Sequence, residues 1–323
     1  MYKKLTFYDL QKKNKRKTTI LILFFILIAG FIGFLIDNLF LGFPEYIKFP
    51  FLTVFALFLS TFQSFISYMY GDKIVLNSLK ARHANPEIFE EKRIINIVEE
   101  MKIAAGIPMP KVYIVDTDIP NAFATGRNPE NSSVAVTRGL IKLLNREEMQ
   151  GVIGHEIAHI RNRDILTMTV AIALLGIIII LSDMILRGFR FGEIRQRKRE
   201  RISFRGNALI LLIILIFAII TPIIARLIFL AISRSREYLA DATSAELTRN
   251  PISLANALEK IYLNQTGKPI GNKAISPLFI VSPLKSKLEN RENLWSDLWS
   301  THPPIEKRIF YLKQMAHESS IYK

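Results

Sequence analysis

Four stretches of the chain are apolar all round, with neither the alternation of a half-buried strand nor the one-sided spacing of a surface helix. They cover residues 18–41, 49–70, 165–186 and 208–232, and each is near the roughly 20 residues that a membrane-crossing helix needs. A helix in a soluble core rarely stays so uniformly apolar. The second stretch is the least uniform, diluted by Ser60, Thr61, Gln63, Ser64 and Ser67. Basic residues precede the first, as in a cleavable signal peptide. Its apolar run is too long for one, however, and its end, "LIDNLFLGF", offers no small-x-small cleavage site, so it reads as a retained anchor. Taken in pairs, the stretches predict two membrane hairpins.

Elsewhere the pattern is mixed. Asn85 and Pro86 read as start signals and Gly106 with Pro108 as stop signals for a helix over "NPEIFEEKRIINIVEEMKIAAGIP". "KVYIVDT" and "SVAVTR" have the composition of short strands, "NAFATGR" between them is a candidate third, and Pro120, Gly126 and Pro129 mark turns. Asn145 followed three residues later by Glu148 is a capping box that opens a helix. Helical spacing then dominates to the C-terminus, around "SREYLADATSAELT", "SLANALEKIYL" and "PIEKRIFYLKQM". The expectation is an α+β protein in four pieces: a membrane hairpin over residues 1–71, a first soluble part over 72–164, a second hairpin over 165–232, and a second soluble part over 233–323.

Charge orients these pieces. Seven Lys and Arg residues against Asp9 alone precede residue 18, and basic flanks stay on the cytoplasmic side, which places everything from Gly71 onward in the cytoplasm. The connection between the third and fourth stretches fits less well, because Arg187, Arg190, Arg195, Arg197, Lys198, Arg199, Arg201 and Arg205 would all be external if both stretches crossed fully. Either that loop is translocated against the rule or the second hairpin enters the membrane only in part. The net charge of +15 clusters beside apolar segments; that suits a lipid bilayer with anionic headgroups and argues against nucleic acid. The chain has no cysteine, which excludes disulfides and thiolate metal sites.

The chemistry-bearing run is "GVIGHEIAHIRNRD", residues 151–164, at the edge of the third stretch. On a helix, positions four apart lie about 40° apart round the axis, so His155 and His159 share a face and can converge on one cation. Glu156, about 100° from His155, can reach water held by that cation without being a ligand. This is the H-E-x-x-H arrangement of zinc peptidases: neutral imidazoles leave zinc a strong Lewis acid, and a nearby carboxylate can take a proton from water and pass it to the leaving amine. Catalytic zinc wants a third protein ligand. Glu237, in "SRSREYLADA", follows the fourth stretch by about the margin at which His159 precedes the third, so an antiparallel hairpin would bring the two to one membrane face. Glu237 is therefore the expected third ligand. Asp241, one turn on, is the expected acceptor for the N–H of a ligating histidine, His155 by preference. Asn162 and Asp164 read as braces where the helix meets the lipid.

Together "GHEIAHIRNRD", "SRSREYLADA", "NAFATGR" and "STHPPIEKRI" resemble the HtpX-type membrane metallopeptidases, relatives of the peptidases that process CAAX prenyl-proteins. The resemblance runs in order over most of the chain. It implies a gluzincin-like zinc metallopeptidase domain with the second hairpin inserted within it, one Zn2+ per chain, and a multi-pass protein of the cell (inner) membrane with a cytoplasmic catalytic domain. It implies that Asn121, Ala122, Phe123 and Ala124 form an edge strand that holds the substrate backbone. His302 matches a histidine proposed to stabilise the developing oxyanion, and the implied partners are peptides and misfolded or damaged membrane proteins. Two other readings stay open: a prenyl-peptide processing enzyme, whose known examples carry more membrane helices than four, and a zinc-binding scaffold without activity, against which the retained Glu156 argues.

Overall fold

The structure, a computed structural model, describes residues 7–37, 50–174, 234–265, 270, 278–281 and 303–321. The expectations for the fourth stretch, for most of the third, for the basic connection between them and for His302 lie outside the described residues.

Four strands form one mixed sheet in the order β1-β2-β4-β3. They are β1 (Arg82–His83), β2 (Lys111–Val115), β3 (Ala122–Asn128) and β4 (Asn131–Thr137). β2 runs parallel to β4, while β1 and β3 are antiparallel to their neighbours. Alternating side chains build two separate cores. Val112, Ile114, Ala122, Ala124, Val134 and Val136 point into one, and Val115, Phe123 and Ala135 into the other. A sheet covered on both faces explains why "VYIV" and "SVAV" are apolar at consecutive positions instead of alternating.

The first core is roofed by α3 (Phe89–Ala105), α5 (Arg146–Arg161), α8 (Pro251–Leu263) and α9 (Ile305–Ile321), with the short α4 (Arg138–Leu143) at the end of β4. α3 ends at Gly106 in the left-handed conformation, as its stop signals require, but begins four residues after Asn85. The Asn85 side chain instead closes a turn by accepting the Glu87 N–H at 3.0 Å, the local bond that makes asparagine a turn residue as readily as a cap. Glu91, on the first turn of α3, is fully buried and is tied to Arg82 on β1, Arg138 on α4 and the Asn85 N–H. The Arg82 hydrogen bonds, working against burial, hold its carboxyl down at about 2.

The second core is closed by apolar helices: α1 (Phe7–Ile36), α2 (Phe51–Ser78) and α6 (Asp164–Leu174), with Leu21, Phe25, Val75, Leu76, Leu166, Met168 and Ile172 packed against the back of the sheet. Within α2, residues Thr53–Ser78 are long and apolar enough to cross a membrane. α1 and α2 pack on each other, and Asp37 accepts hydrogen bonds from the Thr53 N–H at 2.8 Å and the Thr53 hydroxyl at 2.6 Å. Their outer faces expose Leu27, Phe31, Phe58 and Phe65 at 60% or more. Buried hydroxyl pairs, Thr18 with Thr167 at 2.8 Å and Thr125 with Thr169 at 2.9 Å, fasten α6 between α1 and β3.

The catalytic-motif helix does not run unbroken into the third apolar stretch. α5 ends at Arg161, Arg163 takes a φ of 56°, and α6 starts afresh at Asp164.

Candidate metal centre

α5 opens with both bonds of the capping box, Asn145 Oδ1 accepting the Glu148 N–H at 2.9 Å and Glu148 Oε2 accepting the Asn145 N–H at 3.0 Å. From that start the 3.6-residue repeat carries His155, Glu156 and His159 to the inside, all under 8% exposed. The helix α7 (Arg234–Thr248) supplies Glu237 and Asp241 and lies close along α5. Gly154 permits the approach, since a Cβ there would stand 2.9 Å from Ser244 Oγ, and Ser244 Oγ donates to the Gly151 carbonyl at 2.7 Å.

The result is a converging set. His155 Nε2 and His159 Nε2 are 3.1 Å apart, and Glu237 oxygens lie 3.8 Å from the first and 3.5 Å from the second. Ligands bonded to zinc at about 2.1 Å in a tetrahedron stand about 3.4 Å from one another, so the three donors fit one such ion, with both imidazoles offering the same nitrogen. His155 Nδ1 lies 2.9 Å from Asp241 Oδ1. Its proton therefore belongs on Nδ1, and Nε2 is left as a lone pair facing the other donors. His159 Nδ1 lies 3.4 Å from Asp164 Oδ2.

Arg308, on α9, completes the centre. Its guanidinium grips Asp241 with Nε at 2.8 Å and Nη2 at 2.6 Å, donates from Nη1 to the Ile280 carbonyl at 2.9 Å, and comes within 3.6 Å of Glu237. It is 1% exposed. Sequence reasoning misses this residue. The available signal is a buried aspartate that must be paired, and an arginine in the "STHPPIEKRI" run is a fitting partner.

Charge bookkeeping supports a divalent ion. Among the described residues the carboxyls of Glu156, Asp164, Glu237 and Asp241 face Arg236 and Arg308; with neutral imidazoles these six side chains are two positive charges short of balance. The titrations express the same deficit. Burial pushes the Glu156 carboxyl up to about 7. Burial alone would depress His159, but its Asp164 hydrogen bond and the carboxylates of Glu237, Asp164 and Glu156 outweigh that and raise it to about 9. His155 goes the other way, down to about 4, because burial and the Arg308 charge oppose a second proton more than Asp241 favours it.

The expected substrate strand, β3, is an edge of the sheet among the described residues, and its midpoint faces the metal donors. The Ala124 N–H faces the Glu156 carboxyl and favours its charged form. On either side the edge is already covered: the Ala122 carbonyl accepts from the Ile280 N–H at 3.2 Å, and the Gly126 N–H donates to Thr169 Oγ1 at 3.1 Å. The Asn121 amide is engaged with Val281, donating to its carbonyl at 2.7 Å. Phe123 turns its ring into the second core, edge-on to Phe279 at 5.6 Å. Only backbone groups of this strand therefore face the centre.

Comparison with known proteins agrees with this geometry. The model of peptidase family M48 matches residues 89–316, a span holding every donor described above. The Protease HtpX homolog of Thermoanaerobacter pseudethanolicus is 45% identical over 312 residues, covering 96% of this chain and 98% of the relative. That of Pyrococcus furiosus is 44% identical over 270 residues, covering 83% and 88%. The crystal structure of S. mikatae Ste24p is a loose likeness, with a TM-score of 0.47 and 19% identity over 94% of this chain and 67% of that one. The chain belongs to peptidase family M48, among the HtpX-type metallopeptidases.

Proposed function

We propose that the chain is a zinc-dependent endopeptidase working at a membrane surface, with His155, His159 and Glu237 as ligands and Glu156 as general base. The observation that carries this reading is the convergence of three donor atoms within 4.8 Å of one another, beside a buried carboxyl whose protonation lies near neutral pH. When bound there, the ion supplies Lewis-acid activation of water and of the scissile carbonyl.

The chain's own groups do the rest. A peptide laid along β3 as an added strand takes its first anchor from Ala124, where the edge faces the donors. The peptide carbonyl then accepts the Ala124 N–H, which faces Glu156 in the resting site, and the Glu156 carboxylate takes a proton from water. A base with a pKa near the working pH both accepts that proton and returns it to the leaving amine. Arg308 and Asp241 hold His155 while charge builds. His302 is proposed as the oxyanion donor on the resemblance of its "STHPP" context alone.

The exposed large apolar side chains of α1 and α2, Leu27, Phe31, Phe58 and Phe65 among them, favour placement in lipid. With the basic N-terminal flank, this supports a catalytic domain on the cytoplasmic side. Substrates reaching such a site are the accessible loops and ends of membrane proteins, and the damaged-protein role of HtpX-type relatives is the one we assign.

The test is metal analysis of purified variants with a casein or self-cleavage assay. Glu156→Gln should keep its zinc and lose activity by roughly 10²–10⁴-fold, whereas Glu237→Ala should lose metal as well. Full activity in Glu156→Gln would end the general-base assignment.

A further inference from the structure

We propose that Asp164, held by Arg236, is the positioning carboxylate for His159, so that each imidazole of the centre has its own arginine-clamped aspartate. The inference rests on the metal-site reading above and adds a residue pair to it.

The two histidines are treated alike. His155 Nδ1 meets Asp241, which Arg308 grips. His159 Nδ1 meets Asp164 Oδ2 at 3.4 Å, and Asp164 Oδ1 lies 3.4 Å from Arg236 Nη1. Asp164 is 1% exposed and the Arg236 side chain 11% exposed. A carboxylate on Nδ1 fixes the tautomer that leaves Nε2 free and locks the plane of the ring. With a single brace, one imidazole would be fixed and the other free to turn out of line.

Backbone geometry argues that the contact is built. In a continuous helix a residue five positions after His159 would lie about 140° round the axis, on the far side from the ring. Here Asn162 caps α5, Arg163 takes the left-handed conformation with φ 56°, and the chain returns Asp164 beneath the imidazole as the first residue of α6. A non-glycine residue in that region is uncommon and persists where its surroundings demand it. Arg236 is the neighbour of Glu237 on α7. The second brace therefore joins the third ligand's helix to the start of the third apolar stretch, through the histidine between them.

The experiment uses the full chain in detergent, with zinc affinity read by competition with a chromophoric chelator and geometry read from the visible absorption of the Co2+-substituted protein. Asp164→Ala should weaken zinc by about 10- to 100-fold. Asp164→Asn, which keeps shape and an acceptor oxygen but not the charge, should fall between it and the parent. Arg236→Ala should weaken zinc, and Arg236→Lys should recover part of the loss. Each weakening variant should shift the Co2+ bands, a change that loss of stability alone does not cause. Should Asp164→Ala fail to fold, the Asn and Arg236 variants decide. Parental zinc affinity and unshifted Co2+ bands in Asp164→Asn and Arg236→Ala would overturn the proposal while leaving the metal site standing. A parent protein that binds no zinc would instead overturn the metal-site reading itself.

Discussion

A buried carboxylate needs a counter-charge, and at the residue scale that requirement explains Arg308. Asp241 is 2% exposed and both its oxygens are taken by one guanidinium. Removing one partner of such a pair leaves an uncompensated charge and costs about 3–5 kcal/mol. Arg308→Met, similar in length and uncharged, should lower the stability of the metal-free protein by that amount in denaturant unfolding. Added zinc should restore a part of it, because the ion offsets the charge that Arg308 no longer does. A variant as stable as the parent without metal would show that Asp241 is not held as a carboxylate. A second prediction follows from His159, whose metal-free pKa is raised to about 9. Below that pH the ring carries a proton that the metal must displace, so zinc affinity should rise about tenfold per unit from pH 6 to 8 and level off above 9. His155, already neutral above about 4, adds nothing in that window. Calorimetry at pH 8 in buffers of different ionisation enthalpy should find close to one proton released per zinc bound. A flat affinity with no release would contradict the assignment.

At the scale of elements, β3 is the part of the site that the sequence describes least well. The helix with the H-E-x-x-H run was legible because one capping box and one period fix where each side chain points. Glu237 and Asp241 were legible because they stand one turn apart, about as far beyond the fourth apolar stretch as His159 stands before the third. Arg308 was not, nor was the contact of Asp164 with His159: the first reaches Asp241 across 67 positions, and the second depends on a left-handed residue at Arg163 that nothing in "IRNRD" signals. Nor does "NAFATGR" say which of its groups face outward. In the structure Ala124 turns its N–H outward to Glu156 while the neighbouring positions pair with β4. Ala124→Pro therefore removes no ladder bond, and an edge strand tolerates proline there. It should leave zinc content unchanged and lower kcat/KM by roughly 10–100-fold, the worth of about 1.5–3 kcal/mol for a hydrogen bond made to charge that develops on the peptide. Unchanged kcat/KM would place the substrate elsewhere. Gly126 is the opposite case, with φ 142° and an added Cβ 2.3 Å from the Asn131 carbonyl, so Gly126→Ala should cost about 1–3 kcal/mol by thermal unfolding whatever becomes of activity.

For the whole molecule, the decisive feature is that one sheet serves two environments. Its front face packs on the helices that carry the metal donors, and its back face packs on the apolar helices α1, α2 and α6. β3, with the Ala124 backbone toward the donors and Phe123 in the rear core, is common to both. If α1 and α2 sit in lipid, the metal donors are held close to its boundary, because Asp164, which touches His159, opens α6 one position before the third apolar stretch. The chain has no cysteine, so single substitutions report without background. Phe58 on α2 and Phe89 on α3 are 67% and 82% exposed, which makes them comparable in a protein surrounded by water and different only if a bilayer covers the first. In native vesicles opened to both sides, Phe89→Cys should react rapidly with a charged maleimide. Phe58→Cys should be slower by an order of magnitude or more, because hydrocarbon excludes the reagent and suppresses the thiolate. Equal rates would mean that the outer face of α2 is wet, and the membrane placement would fall while the metal centre, which depends on the front of the sheet, remained.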